Sequence, residues 1–228
     1  MFDLYQTQRA MRNMRKAAMQ RGVIALLDIG SSKIACLVLR FDSSDAVGMR
    51  DADAIGALAG QASVRVIGAA TTRSRGVRFG EIEAMAETES AIRTAVQAAQ
   101  KMANTRVDHV IASFAGAEPR SYGLDGETEV QGAQVAEQDV ARVLAACDIP
   151  DLGPGREVLH AHPVNFALDH RSGLGDPRGH VGHRLAVDMH LLTVEAAAIQ
   201  NLVYCIRRCD LELAGIASSA YVSGISSL

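Results

Sequence analysis

The sequence predicts an α/β protein in which a group of antiparallel strands precedes alternating helices and strands. Three apolar, β-branched runs open the chain, at residues 23–27, 34–41 and 65–70. A long amphipathic helix and further strand–helix–strand units follow them. The composition agrees, because 48% of the residues are hydrophobic and only 4% are aromatic. A core built mainly from Ala, Val, Ile and Leu is therefore expected.

The first two runs are joined by a short polar segment, residues 28–33, and this arrangement predicts a β-hairpin. The third run is separated from the hairpin by residues 42–63. That segment is rich in Asp, Ala and Gly without useful periodicity, so it is predicted to be a loose loop.

The long helix is predicted to begin at Ile82. Its apolar residues recur on one face, at Met85, Ile92, Val96, Ala99 and Ala103. Beyond it the patterns predict strands at 109–114, 157–168, 184–193 and 211–217 and helices from Glu137, over 195–208 and from Ser218. A glycine-punctuated stretch extends to Val130, and a loop rich in Gly, Pro and His covers 169–183.

Composition also excludes several classes of function and structure. The net charge is −3, with no basic excess of the kind that binds nucleic acid. Four scattered cysteines do not form a disulfide framework and are typical of free thiols in a reducing cytosol. No apolar run approaches the roughly 20 residues that a membrane span requires.

Residues 1–21 form a basic N-terminal tail. Two interpretations are open: a short amphipathic helix that touches anionic lipid, or a mobile tail. The tail contains one acid, Asp3, and five bases: Arg9, Arg12, Arg15, Lys16 and Arg21.

Residues 28–33 are the clearest candidate for a ligand-binding segment. A tight turn containing Gly30, Ser31 and Ser32 presents successive N–H groups and two hydroxyls, which together form a nest for phosphate oxygens. Asp28 could hold a hydrated Mg²⁺ opposite those phosphates, and Lys33 could add positive charge or point to solvent. An ordinary hairpin turn is the alternative.

Several segments resemble a known family. "VIALLDIGSSKIACLVL" is similar to the first phosphate loop of actin-like ATPases. "VIGAATTRSRGVRFGEIEAMAETESAIRTAVQAAQKMA", "VLHAHPVNFALDHRSGLGDPRGHVGHRLAVDMHLLT" and "CIRRCDLELAGIASSAYVSGISSL" resemble, in that order, consecutive segments of the bacterial cell-division family FtsA. The resemblance extends from about Arg21 to the last residue.

This resemblance implies an architecture. An actin-like, ribonuclease H-like core subdomain (1A) would comprise residues 22–75 and 180–228. A small inserted α+β subdomain (1C) of three strands and two helices would comprise 76–179. FtsA proteins are considerably longer, so the resemblance implies an incomplete actin-like fold, without the second phosphate loop, the adenosine pocket, the subdomain that binds FtsZ and the C-terminal membrane helix.

The resemblance also implies ATP and Mg as cofactors of the full-length family, bound here by Asp28, Gly30, Ser31, Ser32 and Lys33. Because this chain would form only one wall of the family's ATP cleft, its binding of ATP is expected to be weak or absent. No catalytic residue and no metal-ligand set is predicted, so the expected role is a non-enzymatic scaffold.

The implied scaffold anchors the FtsZ ring on the inner face of the cytoplasmic membrane at the division site. Its expected partners are FtsZ, other division proteins and further copies of itself, the last through the inserted subdomain. Two alternatives remain: an actin-like adaptor of pilus assembly, which shares the insertion, and an ATPase or kinase of the same superfamily.

Three weaker signals have simpler interpretations. His160 and His162 alternate on a predicted strand and are interpreted as structural. Cys205 and Cys209 share one helix face and are interpreted as buried thiols. An exposed cluster, Arg73, Arg75 and Arg78, is predicted to be a solvated basic edge or a subunit contact.

Overall fold

The computed structural model of the protein describes residues 11, 13–15, 17, 18, 20–41 and 64–227. The predicted loop at 42–63 lies outside the described residues. The strands are β1 (Val23–Ile29), β2 (Lys33–Phe41), β3 (Val64–Arg73), β4 (Val77–Arg78), β5 (Glu81–Ile82), β6 (His109–Phe114), β7 (Arg120–Glu129), β8 (Arg156–Leu168), β9 (Arg171–Leu174), β10 (Arg184–Glu195) and β11 (Glu212–Ser218). Following the N-terminal segment, the helices are α1 (Met85–Ala103), α2 (Glu137–Ala145), α3 (Ala196–Arg208) and α4 (Ser219–Ser226).

The chain forms two compact units. The first comprises residues 1–117 and 196–228, and the second comprises Glu118–Glu195. The first unit is therefore built from two segments that lie far apart in the sequence. The mixed α/β class predicted from the residue patterns is confirmed.

The first unit contains a five-stranded sheet in the order β11-β6-β1-β2-β3. Strand β1 is central, with β2 and then β3 antiparallel on one side and β6 and then β11 parallel on the other. The three strands predicted at the start of the chain are thus neighbours in one sheet. Their apolar residues, among them Ile24, Leu27 and Ile34, are buried in its core.

Helix α1 packs on this same sheet. Its buried face includes Ile92, Val96 and Ala99. Gly68 of β3 allows the close approach, because a Cβ atom there would lie only 2.3 Å from the carbonyl oxygen of Ala99 and 2.9 Å from the Cβ of Ala103. The prediction that this helix belongs to the inserted subdomain is therefore wrong, as is the boundary at residue 76.

The second unit is a four-stranded antiparallel sheet in the order β7-β10-β8-β9, with one helix, α2, packed on it. Its core consists of Val135, Val143, Phe166, Leu168, Leu185 and Val187. The predicted count of three strands and two helices is wrong. The predicted boundary at 179/180 is wrong as well, because β10 pairs with β7 and β8 and so belongs to this unit.

The end of the basic N-terminal segment is not a free tail. The described residues between 11 and 20 are helical. Ala18 is fully buried and shares a cluster with Ile24 and Ala214, against which Met14 also packs. The apolar side of these residues therefore contacts the sheet of the first unit, while residues 1–10 lie outside the described chain.

Candidate functional site

The turn between β1 and β2 has the hairpin geometry predicted from the sequence. Ile29 pairs with Ile34, and the N–H of Gly30 donates to the carbonyl oxygen of Lys33 at 3.1 Å. Ser31, Ser32 and Lys33 are exposed. Gly30 has no positive φ, so its backbone is not in the left-handed region. The space beside Gly30 is limited, because a Cβ on this residue would lie 3.2 Å from the Lys33 carbonyl oxygen.

Asp28 lies beside this turn, near the carboxyl end of β1. Its neighbour on the parallel strand β6 is Ser113, whose hydroxyl donates to Oδ1 of Asp28. The Ser113 Oγ is also 3.4 Å from the Oγ of Ser219, the first residue of α4. The carboxyl ends of β1, β6 and β11 thus meet at one edge of the sheet, where open α/β sheets commonly bind ligands.

A second backbone segment supports the turn. The hairpin formed by β4 and β5 has Gly80 at its tip, and the N–H of Gly80 donates to Oγ of Ser31 at 2.9 Å. Gly80 also lies directly against Gly116, which follows β6: a Cβ on Gly80 would be 2.6 Å from the nitrogen of Gly116. Ser31 accepts this bond and keeps its own hydroxyl hydrogen as a donor.

Cations lie along the rim of the site. Lys33 and Arg73 are directly opposite each other on β2 and β3, and both are exposed. The N–H of Ser74 donates to the carbonyl oxygen of Ser32 at 3.0 Å, which fixes the strand end against the turn. Like charges on opposed residues repel each other, so this rim favours an external anion.

The donor set at this edge suits a magnesium-bound phosphate. Exposed N–H and hydroxyl groups of Ser31 and Ser32 are donors for phosphate oxygens, and Lys33 provides charge. The carboxylate of Asp28 is exposed and oriented by Ser113, as an outer ligand of a hydrated Mg²⁺ would need to be. The residues at this edge fit such a ligand.

Sequence reasoning found the turn and missed its supports. Ser113, Gly80, Gly116 and Ser219 were not predicted to belong to the site, since none is near residues 28–33 in the sequence. One signal was available for Ser113. It is the penultimate residue of the predicted strand 109–114, and strand ends of a parallel sheet converge at one edge.

The histidines and cysteines form a separate group of candidates. Among the described residues, no set of three His, Cys, Asp or Glu side chains could hold a metal ion. Burial, and then the neighbouring His162 and His190, lower the pKa of His160 to about 4. Cys205 and Cys209 are buried and not disulfide-bonded, which confirms their interpretation as buried thiols.

The arginine cluster belongs to the first unit and not to the inserted one. Arg73, Arg75 and Arg78 are exposed, as predicted. In the described part of the chain no helix has the length and apolarity needed to cross a bilayer.

Comparison with known proteins identifies the second unit. Residues 116–193 match the family model described as the SHS2 domain inserted in FTSA. This range agrees closely with the unit Glu118–Glu195 defined by the structure.

Proteins named cell division protein FtsA match nearly the whole chain. The relative from Rhizobium meliloti is 35% identical over 90% of this chain and 45% of its own length. That from Neisseria meningitidis is 29% identical over 90% and 45%, and that from Escherichia coli K12 is 25% identical over 89% and 45%. The chain therefore spans about half the length of these relatives, and the resemblance to FtsA stated from its motifs is confirmed.

One solved structure, a chain of a PilM-PilN type IV pilus biogenesis complex, aligns with a TM-score of 0.48 and 12% identity over 86% of this chain and 47% of that chain. This likeness is too low to carry an argument about fold or function.

Proposed function

We propose that this chain, which is similar in sequence to cell division protein FtsA over nine-tenths of its length, is part of a non-enzymatic scaffold of the bacterial division ring. The observation that carries the proposal is the FtsA match itself, which includes the inserted unit. The site at the sheet edge adds a physical reason, since a scaffold controlled by nucleotide needs a place for phosphate.

Nucleotide binding is the part of the proposal that rests on the site. Ser31, Ser32 and Lys33 would hold phosphate oxygens of ATP, and Asp28 would hold the hydrated Mg²⁺ that neutralises their charge. Ser113 would keep the Asp28 carboxylate in place, and Gly80 would fix Ser31. The resemblance to FtsA implies that these residues form only one wall of the ATP cleft, so the 228-residue chain alone is expected to bind nucleotide weakly.

The proposed partners follow from the relatives. A division scaffold of this kind would contact FtsZ, other division proteins and further copies of itself. We place it on the cytoplasmic face of the membrane at the division site, held there peripherally. The actin-like character of the first unit is part of the same proposal and accounts for a phosphate turn between its first two strands.

The test replaces a glycine in the full-length product of the gene. Gly30→Val adds a branched side chain where even a Cβ would lie 3.2 Å from a backbone oxygen, so it closes the turn to phosphate. A matched control is Gly132→Val, because Gly132 is exposed and its nearest atom would be 3.8 Å from an added Cβ.

The expected result is filamentous, non-dividing cells and lost nucleotide binding with Gly30→Val as sole copy, and normal division with Gly132→Val. A fluorescent fusion of the unaltered protein should collect at mid-cell. Normal division with Gly30→Val together with a fusion that never reaches the septum would overturn the proposal.

A further inference from the structure

Two cysteines lie together where α1 contacts the end of α3. Cys205 is in the last turn of α3, and Cys209 follows the last residue of that helix. Cys205 is fully buried and Cys209 is 7% exposed. A hydrogen bond joins the two thiols, and the Cys209 thiol donates to the carbonyl oxygen of Glu89 on α1 at 3.6 Å. The pair is therefore held between two helices of the first unit.

Cys209 also lines a cavity of about 190 Å³ on the first unit. Among the described residues that line this cavity, Cys209 is the only thiol, and the other side chains include Arg93, Gln97 and Gln100 of α1. A single water molecule needs only about 10–15 Å³ of such space. The cavity therefore has room for several waters, and for a small polar oxidant beside Cys209.

The surroundings of Cys209 favour its thiolate over those of the other three cysteines. The hydrogen bond from Cys205 lowers the pKa of Cys209, and the charge of Arg93 adds to this effect against the cost of burial. The pKa of Cys205 is raised because its thiol donates that bond. Burial raises the pKa of Cys36 to about 11 and raises that of Cys147 as well. The thiolate is the nucleophilic form of cysteine, so Cys209 is the favoured nucleophile.

The anionic groups near Cys209 are paired with arginines. Glu89 and Asp210 act against the thiolate, as does the negative end of the α3 dipole. Arg208 is paired with Glu89, and Nη1 of Arg93 lies 2.9 Å from Oδ2 of Asp210. The two arginines thus offset the two carboxylates at this end of the helix.

We propose that Cys209 is oxidised by a hydroperoxide that enters this cavity, and that Cys205 then closes a disulfide with it. In the first step the Cys209 thiolate attacks one peroxide oxygen, the O–O bond breaks, and the leaving oxygen takes up a proton. The product is a sulfenic acid on Cys209. In the second step the Cys205 sulfur attacks the sulfenic sulfur, its thiol proton joins the departing hydroxyl group, and water leaves. One peroxide is reduced, and two thiols are oxidised to one disulfide.

The positions of the two cysteines permit this bond. Residues four apart in an α-helix have Cα atoms about 6 Å apart, inside the range of about 4.4–6.8 Å that disulfides span. Cys209 lies beyond the last helical residue, and its N–H donates to the carbonyl oxygen of Ile206 at 3.0 Å. Only this final turn must adjust to bring the two sulfurs together. The disulfide replaces the bond from Cys209 to Glu89 and so changes a contact between α1 and α3.

Competition among the four cysteines tests the inference in the full 228-residue chain. The reduced chain is treated with a limiting amount of hydrogen peroxide at neutral pH, the remaining thiols are alkylated, and the peptides are analysed by mass spectrometry. Cys209 should react at least about tenfold faster than Cys147, because the pKa values of the two thiols are shifted in opposite directions. Cys147 is the more exposed of the two, so accessibility alone predicts the reverse order.

Substitutions assign the two roles. In Cys205→Ser the sulfenic acid should persist on Cys209, where dimedone traps it, and no disulfide should form. In Cys209→Ser the Cys205 thiol should stay reduced. Cys147→Ser is the matched control and should form the disulfide as the unaltered chain does. A dithiol reductant should restore both thiols.

The same chain unfolded in urea is the reference for selectivity, because the preference for Cys209 should disappear with the fold. Oxidation of Cys147 before Cys209 in the folded chain, a dimedone adduct on Cys205 in place of Cys209, absence of the disulfide, or a preference that persists in urea would each overturn the inference. The inference is independent of the proposed function, which the Gly30→Val experiment in cells decides separately.

Discussion

Gly68→Ala tests the assignment of α1 to the first unit. An added Cβ would lie 2.3 Å from the carbonyl oxygen of Ala99 and 3.0 Å from the nitrogen of Ala103. Both atoms belong to the helix backbone and cannot rotate away as a side chain does. The helix must therefore shift from β3, with loss of packing at Ile92 and Val96.

The magnitude follows from this geometry. Overpacking of a filled core costs about 1–3 kcal/mol, and a clash with backbone places Gly68→Ala near 3 kcal/mol. For a unit of this size the Tm of the first unit should fall by roughly 6–12 °C. Urea titration followed by circular dichroism should give the same loss in free energy of unfolding.

Gly123→Ala is the matched control for that experiment. Gly123 also lies in a strand, but no atom is within 4 Å of an added Cβ, so its effect should stay below about 1 kcal/mol. If Gly68→Ala were as stable as Gly123→Ala, the packing of α1 on β3 would be refuted, and the long helix would return to the inserted unit.

Three further predictions concern titration and ligand binding. Hydrogen bonds from the backbone N–H groups of Ala136 and Gln131, and then from Arg142, lower the pKa of Asp139. The ionised carboxylate therefore stabilises the folded protein above the unfolded pKa, and this stabilisation is lost as pH falls through the folded pKa. Asp139→Asn should destabilise the second unit at pH 7 and reduce its acid sensitivity in pH-dependent melts; an unchanged acid profile would contradict this. Burial lowers the pKa of His160 to about 4, so stability should fall as pH drops from about 6.5 towards 4, and His160→Gln should flatten that slope in the same melts. A slope unchanged by the substitution would show that His160 is not the titrating group. Calorimetry of the 228-residue chain with Mg-ATP should detect weak binding or none, and micromolar affinity would show that the site is complete within the chain.

Residue patterns were sufficient for elements with strong periodicity. Strands β1, β2 and β6 and helix α2 were located from β-branched runs and apolar spacing because each buries one face in a core. Strand β7 lies in the glycine-punctuated stretch and was given no bounds from the sequence, since it contains two glycines and several acids, which β-propensity disfavours. Gly126 is required there for packing: a Cβ would lie 2.7 Å from both the Sγ of Cys147 and the carbonyl oxygen of Val143.

Long-range relationships were not accessible from the same patterns. The amphipathic face of α1 predicts that the helix is buried, but not which sheet covers it. In the site, Asp28 was found through its local turn, whereas Ser113 is 85 residues away and Gly80 is 49 residues from Ser31. Pairing of β1 with β6 brings Ser113 to Asp28, and a tertiary hydrogen bond brings Gly80 to Ser31, so the local motif predicted the turn but not the residues that support it.

The discontinuous first unit has a consequence for the order in which the protein folds during synthesis. Strand β11 pairs with β6, yet the entire second unit is translated between them. The second unit is contiguous, and its first strand β7 pairs with β10 near its own end, so it can fold once its own residues have left the ribosome. Until Glu212–Ser218 has been made, the first unit lacks an edge strand and β6 stays unpaired on that side. Translation therefore leaves the edge of β6 exposed on the nascent chain, which makes aggregation through that strand a hazard until β11 covers it.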